Sequence, residues 1–446
     1  MTSATRDNVL WTAVIAGAAA SAVVCYLVAT RSLVLGAQSA GWFYGYHAVF
    51  SVRFLGVFAA ACAAGALLWL PAPKPGLDEW SRLLAWFAVA LVVQWLLRSI
   101  APFTLESLFA SDGANGFYGF AQQQTPGDLL SHFGRLRRTA PLHVQANMPG
   151  KVMLVYGLEL LATSPRALAW LVAALSAAGG LVLYVFTKEL LHDARAALFA
   201  AILYWLFPAR IFFLPIMNTV TPVLVLGCAW LMLRWLRTGR TAYPAALGIA
   251  VYLLVFFEPL PLVIGLLFAA LAIRSMAAGE ITPSRWIAQA CVVLVTFIAT
   301  AELFHVAFGF DLIPALRQSA AHATAFNETA GRPYGYWVRA NLVEFLFGIG
   351  VCQAFLFVAI LFVSLRDHAP IGALSLGLLA VLLVTDLIGI NRGEVIRLWI
   401  FLGAFFQIPA AYSCATLPGR TALCVVAACT LLQATLGTAM IGFVVA

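Results

Sequence analysis

Runs of about twenty apolar residues recur along this chain from Val9 to its far end, and a run of that length is what an α-helix needs to cross a bilayer. That feature decides the class. Of the 446 residues, 63% are hydrophobic and only 10% are charged, whereas a soluble domain carries about 25% charged residues. So few charges cannot clothe a water-facing surface, and lipid becomes the solvent for most of the chain. The expected fold is all-α, a polytopic transmembrane helix bundle that forms a single domain over residues 1–446.

Reading the runs in order places spans near 9–30, 50–70, 83–101, 165–186, 196–213, 217–236, 243–257, 259–275, 286–308, 341–365, 371–390, 398–414 and 421–444, about 13 in all. The stretch 243–275 is interrupted by Glu258-Pro259-Leu260-Pro261, and the apolar segment 150–162 is too short to span, so it reads as re-entrant or interfacial. The N-terminal residues show no cleavable-signal pattern, and the run from Val9 stays as a helix. The eight cysteines, Cys25, Cys62, Cys228, Cys291, Cys352, Cys414, Cys424 and Cys429, lie in or beside apolar segments with no C-x-x-C pair. They read as packing residues and not as disulfides or a zinc site.

Basic residues orient the bundle. The net charge is +8, an excess that points to cytoplasmic loops and anionic lipid contact, with no nucleic acid implied. The connections holding Lys74, Lys188 and Arg195, Arg237 and Arg240, Arg274 and Arg285, Arg366, and Arg420 all fall on one side, assigned to the cytoplasm together with the N-terminus. The outer connections are then 31–49, 102–164, 309–340 and 391–397, with 102–164 and 309–340 as large loops. Arg135, Arg137, Arg138 and Lys151 are external on this reading; long loops escape the charge rule. No internal repeat is visible, which counts against a transporter built from inverted halves.

The polar chemistry gathers on the outer side. The first large loop opens with Glu106 and Ser111-Asp112-Gly113-Ala114-Asn115-Gly116, and continues to Asp128 in Pro126-Gly127-Asp128 and to His143-Val144-Gln145-Ala146-Asn147-Met148-Pro149-Gly150-Lys151. A carboxylate where water meets apolar walls has the makings of a general base. Gly150 and Lys151 at a helix start offer N–H groups and a cation to a phosphate. Late in the chain stands Asn391-Arg392-Gly393-Glu394-Val395-Ile396-Arg397-Leu398-Trp399, where Glu394 and Arg397 share a helix face. Arg98, Arg210, Glu258, Glu302, His305 and Asp386 all fall in the outer halves of their helices, which predicts a polar cavity open to that side.

These residues carry a resemblance. The topology resembles that of the GT-C superfamily of polytopic glycosyltransferases, in its bacterial members, from about residue 83 onward; residues 1–82 then add two N-terminal spans. Asp112 sits soon after a span, as the family's first-loop acid does. His143 to Gly150 is similar to the family's His-Pro-Pro-Gly-like turn before a short helix. Arg392-Gly393-Glu394-Val395-Ile396-Arg397-Leu398-Trp399 looks like the Arg-Gly-Glu-x-x-Arg-x-Trp stretch. Asp112 is followed by Gly113, where metal-using members pair two acids, so no cofactor is assigned and a divalent cation lacks its usual ligand pair. Asn218 stands where a mid-chain acid is often found, and Met148-Pro149 replaces Pro-Pro.

The resemblance implies a hexosyl- or pentosyltransferase of the cell envelope, resident in the plasma membrane. It would move a sugar from a polyprenyl-phosphate donor to a hydroxyl of a glycan, glycolipid or protein acceptor on the outer face, with inversion. Asp112 is the implied base. Arg397, backed by Lys151 and His143, would receive the leaving phosphate, and Glu394 would orient Arg397 or touch the sugar. Asn147, Glu258, Arg332, Tyr334 and Arg392 complete the expected substrate-binding set, Arg332 and Tyr334 as residues beside a sugar or lipid groove.

Plainer readings stand beside these. Asp112-Gly113 is a common turn pair, Asp128 caps the turn that follows it, and His143 suits a hydrogen-bonded loop. Lys151 suits snorkelling to headgroups, and Glu394 with Arg397 suits a salt bridge closing a helix end. Glu258 suits accepting bonds from backbone N–H groups freed by its flanking prolines. Trp42, Tyr44 and Trp337 suit interfacial anchors, residues 332–337 suit a groove, and Asn327-Glu328-Thr329 matches a glycosylation acceptor. A transporter or lipid flippase is the rival function, and a non-catalytic scaffold the third; no nucleotide-binding loop is present.

Overall fold

A computed structural model describes residues 3–47, 53–69, 76–364 and 369–444. Lys74 and Arg366 lie outside the described residues. Among the described residues the chain is almost entirely helical, with one short β-hairpin pairing Gly36-Ala37 with Trp42-Phe43. We label the principal helices α1 Ser3–Ala29, α2 Arg53–Leu68, α3 Leu77–Ser99, α4 Gly150–Glu159, α5 Pro165–Leu191, α6 Ala194–Leu206, α7 Thr221–Thr238, α8 Ala242–Phe257, α9 Gly265–Ala277, α10 Pro283–Phe308, α11 Leu312–Thr329, α12 Tyr334–Ile349, α13 Val351–Ser364, α14 Pro370–Ile388, α15 Ile400–Thr416 and α16 Thr421–Met440.

All thirteen expected spans correspond to helices, but not all of those helices are of spanning length. Among the described residues nine helical stretches are long and apolar enough to cross a membrane. The protein is therefore an integral membrane protein with an all-α bundle. The helices α2, α8 and α15 have 16, 16 and 17 residues, about 24–26 Å at 1.5 Å per residue, short of a hydrocarbon core of about 30 Å. The stretch read as one span at 341–365 is two helices, α12 and α13, meeting at 104°. The second large connection carries a helix of its own. Residues 312–329 form α11, whose apolar face (Leu312, Ala315, Phe326) is turned inward while Arg317, Gln318 and Glu328 are exposed.

The core is built by α5, α6, α7 and α15, with α1 packed on α13 and α16, and α9 on α14. α6 is the most enclosed. By contrast α10 packs mainly on α8, and Gln289 is its one fully buried residue. Its apolar surface is what lipid requires of a peripheral span. Between α6 and α7 the chain breaks at Pro208, and Arg210 serves the carbonyls that the break frees: its guanidinium donates to Tyr204 O (3.2 Å) and Trp205 O (2.8 Å), and also to the hydroxyl of Ser176 on α5 (3.3 Å).

Polar contacts tie the connections together in two groups. In one, Lys188 pairs with Glu79, Arg234 with Glu189, and Arg195 donates to Leu417 O and Gly419 O. In the other, Trp337 Nε1 donates to Ala40 O (2.9 Å), Arg332 bonds Arg392 O (2.8 Å), and Arg137 joins the first large loop to α11 through Ala315 O (3.2 Å).

Candidate active site

The first large loop folds into short helices at Leu105–Ala110, Phe117–Ala121, Pro126–Ser131, Phe133–Leu136 and Leu142–Ala146 before α4. Against it lie α11, the turn 258–264 and the turn 389–398, and between them is a cavity of about 440 Å3. That is a size typical of small-molecule sites.

The late turn gives the cavity its charge. Arg332 Nη2 donates to Glu394 Oε1 at 2.8 Å, and Arg397 Nη2 to Glu394 Oε2 at 2.5 Å. One carboxylate thus bridges two guanidinium groups. Burial pushes the Glu394 carboxyl up, but Arg397 and Arg332 more than offset this and hold it below its ordinary value. Glu394 itself sits at φ 60°, and Gly393 before it at φ 85°. A left-handed glutamate is uncommon, and the surroundings impose it here. Gly393 N–H donates to Asn341 Oδ1 (3.0 Å) and Val395 N–H to Glu344 Oε2 (3.2 Å). A Cβ on Gly393 would stand 2.8 Å from the Trp337 ring. Arg392 is tied to the carbonyls of Gly389 (3.2 Å) and Arg332 (3.0 Å) and stacks over Tyr334 at 5.6 Å. The whole motif closes into one unit, with Trp399 Nε1 donating to Asn391 Oδ1 at 3.2 Å.

Opposite stand Glu258, Asn218, His143 and Asn147. Glu258 is not served by freed backbone N–H groups, as its proline neighbours suggest. Its carboxylate accepts from Asn218 Nδ2 (3.0 Å) and Thr221 Oγ1 (2.5 Å) and pairs with Lys151 Nζ at 3.0 Å. Lys151 is wholly buried behind it, bonded also to Asn147 Oδ1 at 2.7 Å. It neither snorkels nor lines the cavity, and burial lowers its ammonium pKa, with Glu258 opposing. A Cβ on Gly150 would come within 2.5 Å of Phe256 O, so the start of α4 packs directly against the chain of α8.

His143 lines the cavity and places Nε2 2.9 Å from Gly113 O. A carbonyl only accepts, so Nε2 carries the proton and Nδ1 is left as an acceptor. Burial, helped by Arg397, pushes its pKa down to about 4 and keeps the ring neutral at ordinary pH. Asp112 is exposed and is not part of the lining, although Ala114 and Phe117 just after it are. Its Oδ1 lies over Gly119, where a Cβ would be 2.5 Å away. Among the described residues its carboxylate has no hydrogen-bond or ion-pair partner. Tyr334 also lies outside the lining and props Arg392, its hydroxyl donating to Leu387 O at 2.8 Å.

Of the six ionisable residues expected to line a polar cavity open to the outer side, Glu258 is the one that lines this cavity. Arg98 and Arg210 serve backbone carbonyls, Asp386 accepts from Asn341 (3.0 Å), and Glu302 and His305 lie on the exposed surface of α10. Asn327 is no open glycosylation acceptor, because it is buried with Nδ2 on Ile390 O at 2.8 Å. Asp128 accepts from Thr125, the residue that caps its helix. Sequence reasoning missed Asn341, Glu344 and His322. The first two are polar residues in an apolar run, a signal that was present. His322 lines the cavity from α11.

The result is an amphipathic site. Among the charged groups of the lining, Arg332, Arg392 and Arg397 outnumber Glu258 and Glu394, so the polar half is net cationic. The other half is Leu260, Val263, Leu316, Ala323, Phe326 and Leu398, with Leu262 and Ile390 exposed at its edge. Among the described residues no three His, Cys, Asp or Glu side chains gather as a metal site. No protein-family model matches this chain, and no curated protein matches it.

Proposed function

We propose that the protein is a membrane glycosyltransferase that takes a sugar from a polyprenyl-phosphate donor and passes it to an acceptor hydroxyl at the non-cytoplasmic face. The observation that carries the reading is the pairing, in one cavity, of a net-cationic arginine cluster with an apolar wall. A ligand made of an anionic head on a hydrocarbon chain fits both halves.

The reaction follows from the residues. The acceptor oxygen attacks the anomeric carbon, the bond from that carbon to the phosphate oxygen breaks with its electron pair, and the hydroxyl proton passes to a base. Glu258 and Glu394 have both oxygens occupied by donors, which leaves neither suited to take it. Asp112, unpaired beside the cavity, has its lone pairs available and is the proposed base. The phosphate gains charge as it leaves, and Arg397, whose buried Nε has no partner, receives it. A single displacement inverts the anomeric centre.

The test is release of polyprenyl phosphate from synthetic polyprenyl-phosphate monosaccharides, with membrane extract as the source of acceptors. Wild type releases it, and Asp112→Asn loses about 10²–10⁴-fold while keeping its melting temperature. Equal release by both moves the base elsewhere. No release with any donor sinks the enzyme reading in favour of a lipid transporter.

A further inference from the structure

A second cavity, of about 310 Å3, lies at the opposite, basic end of the bundle, where α5, α7 and α9 terminate together. All three belong to stretches of membrane-spanning length, so their common end lies where hydrocarbon gives way to water. One side of the cavity is the buried leucines Leu233, Leu236 and Leu271; the other is Arg237, Arg274 and His192, with the carboxylate of Glu280 among them. Arg274 is paired with Glu280 at 2.5 Å. Arg237 makes one hydrogen bond, to Leu190 O at 3.3 Å, and no ion pair among the described residues. Most of its five N–H donors are left for a ligand. The His192 ring, exposed beside it, has no hydrogen-bond partner among the described residues either.

We propose that this cavity holds the phosphate headgroup of an anionic glycerophospholipid, clasped between Arg237 and Arg274 with the first methylenes of its chains against the leucines. Two guanidinium forks suit a phosphate diester. The leucine wall and the interfacial depth favour a membrane lipid over a soluble anion, and basic pockets between span ends recognise such headgroups. The inference is independent of the chemistry at the other end.

The experiment is native mass spectrometry of the full chain released from nanodiscs of equal phosphatidylglycerol and phosphatidylcholine. Wild type retains one phosphatidylglycerol with a preference of roughly tenfold to thirtyfold, the worth of two arginines at a membrane surface. Arg237→Gln with Arg274→Gln brings the preference close to unity, while Arg240→Gln with Arg285→Gln, on the same end, leaves it. Equal retention of both lipids by wild type overturns the proposal, a result that needs no variant to fold. An equal loss in both double variants overturns it too, since a diffuse basic surface then accounts for the effect. So does a rise in melting temperature with glycerol 3-phosphate as large as with phosphatidylglycerol, because the ligand is then a soluble phosphate ester.

Discussion

Replacing Lys151 by methionine keeps the shape of the side chain and removes its charge, and the structure says what that does. The ammonium lies 3.0 Å from Glu258 Oε2 with side-chain exposures of 0% and 6%. The Phe117 and Phe257 rings stand 5.7 and 5.6 Å from it, so water has little room to take its place. The variant leaves Glu258 with Asn218 and Thr221 but no counter-charge. Breaking a buried pair from one side costs about 3–5 kcal/mol, whereas replacing both partners is close to neutral. Lys151→Met should therefore lose that much in reversible unfolding by sodium dodecyl sulfate, and Lys151→Met with Glu258→Gln should regain most of it. The half-exposed pair of Arg6 and Asp7, 3.5 Å apart with side-chain exposures of 39% and 35%, is the internal control, and Arg6→Gln should cost under about 1 kcal/mol. If Lys151→Met costs no more than Arg6→Gln, or the double variant is worse than the single one, the buried pair is not what holds the first large loop to the turn after α8.

Three further outcomes are expected. Arg397→Gln should weaken protection by polyprenyl phosphate in a thermal-shift assay by at least tenfold in apparent affinity, about 1.4 kcal/mol, whereas Arg98→Gln, remote in role, should not change it. His143 has its pKa pushed down to about 4; the folded protein therefore resists a proton that the unfolded chain accepts near 6.5. Stability contributed by the neutral ring is full above about pH 6.5, falls as the pH drops towards 4, and is then constant, and His143→Gln should flatten that part of the melting-temperature profile. Gly393→Ala forces φ 85° on an L side chain and sets its Cβ 2.8 Å from Trp337, so it should destabilise by more than about 1 kcal/mol and be relieved in part by Trp337→Phe, as read by melting temperature.

The helices were legible because apolarity over about twenty residues leaves a chain in lipid no other hydrogen-bonded form. What apolarity does not encode is a bend. The 104° turn at Gly350 lies inside a run that reads as one span, since a glycine there changes neither length nor composition. α11 was hidden for the opposite reason: Arg317, Gln318 and Glu328 on its exposed face make a helix look like a polar loop. The turn 391–399 was found as a unit because its members are neighbours in sequence. Lys151 was misread because Glu258, which decides its role, is distant in the chain. Position along an apolar run can be read from sequence, but the direction a side chain faces cannot: Arg210 and Glu258 both fall late in apolar runs, and of the two Glu258 lines the cavity.

The two-natured lining of the cavity has a bearing on how the protein is handled. A detergent is also a polar head on a hydrocarbon tail, and every preparation will contain one at a concentration far above that of any natural ligand. Anionic and zwitterionic detergents present to Arg392 and Arg397 the same combination of charge and chain, whereas a neutral maltoside presents the chain alone. Micelle chemistry is thus a competitive inhibitor series in its own right, and a rank order of inhibition that follows headgroup charge would read out the cavity before any substrate is known.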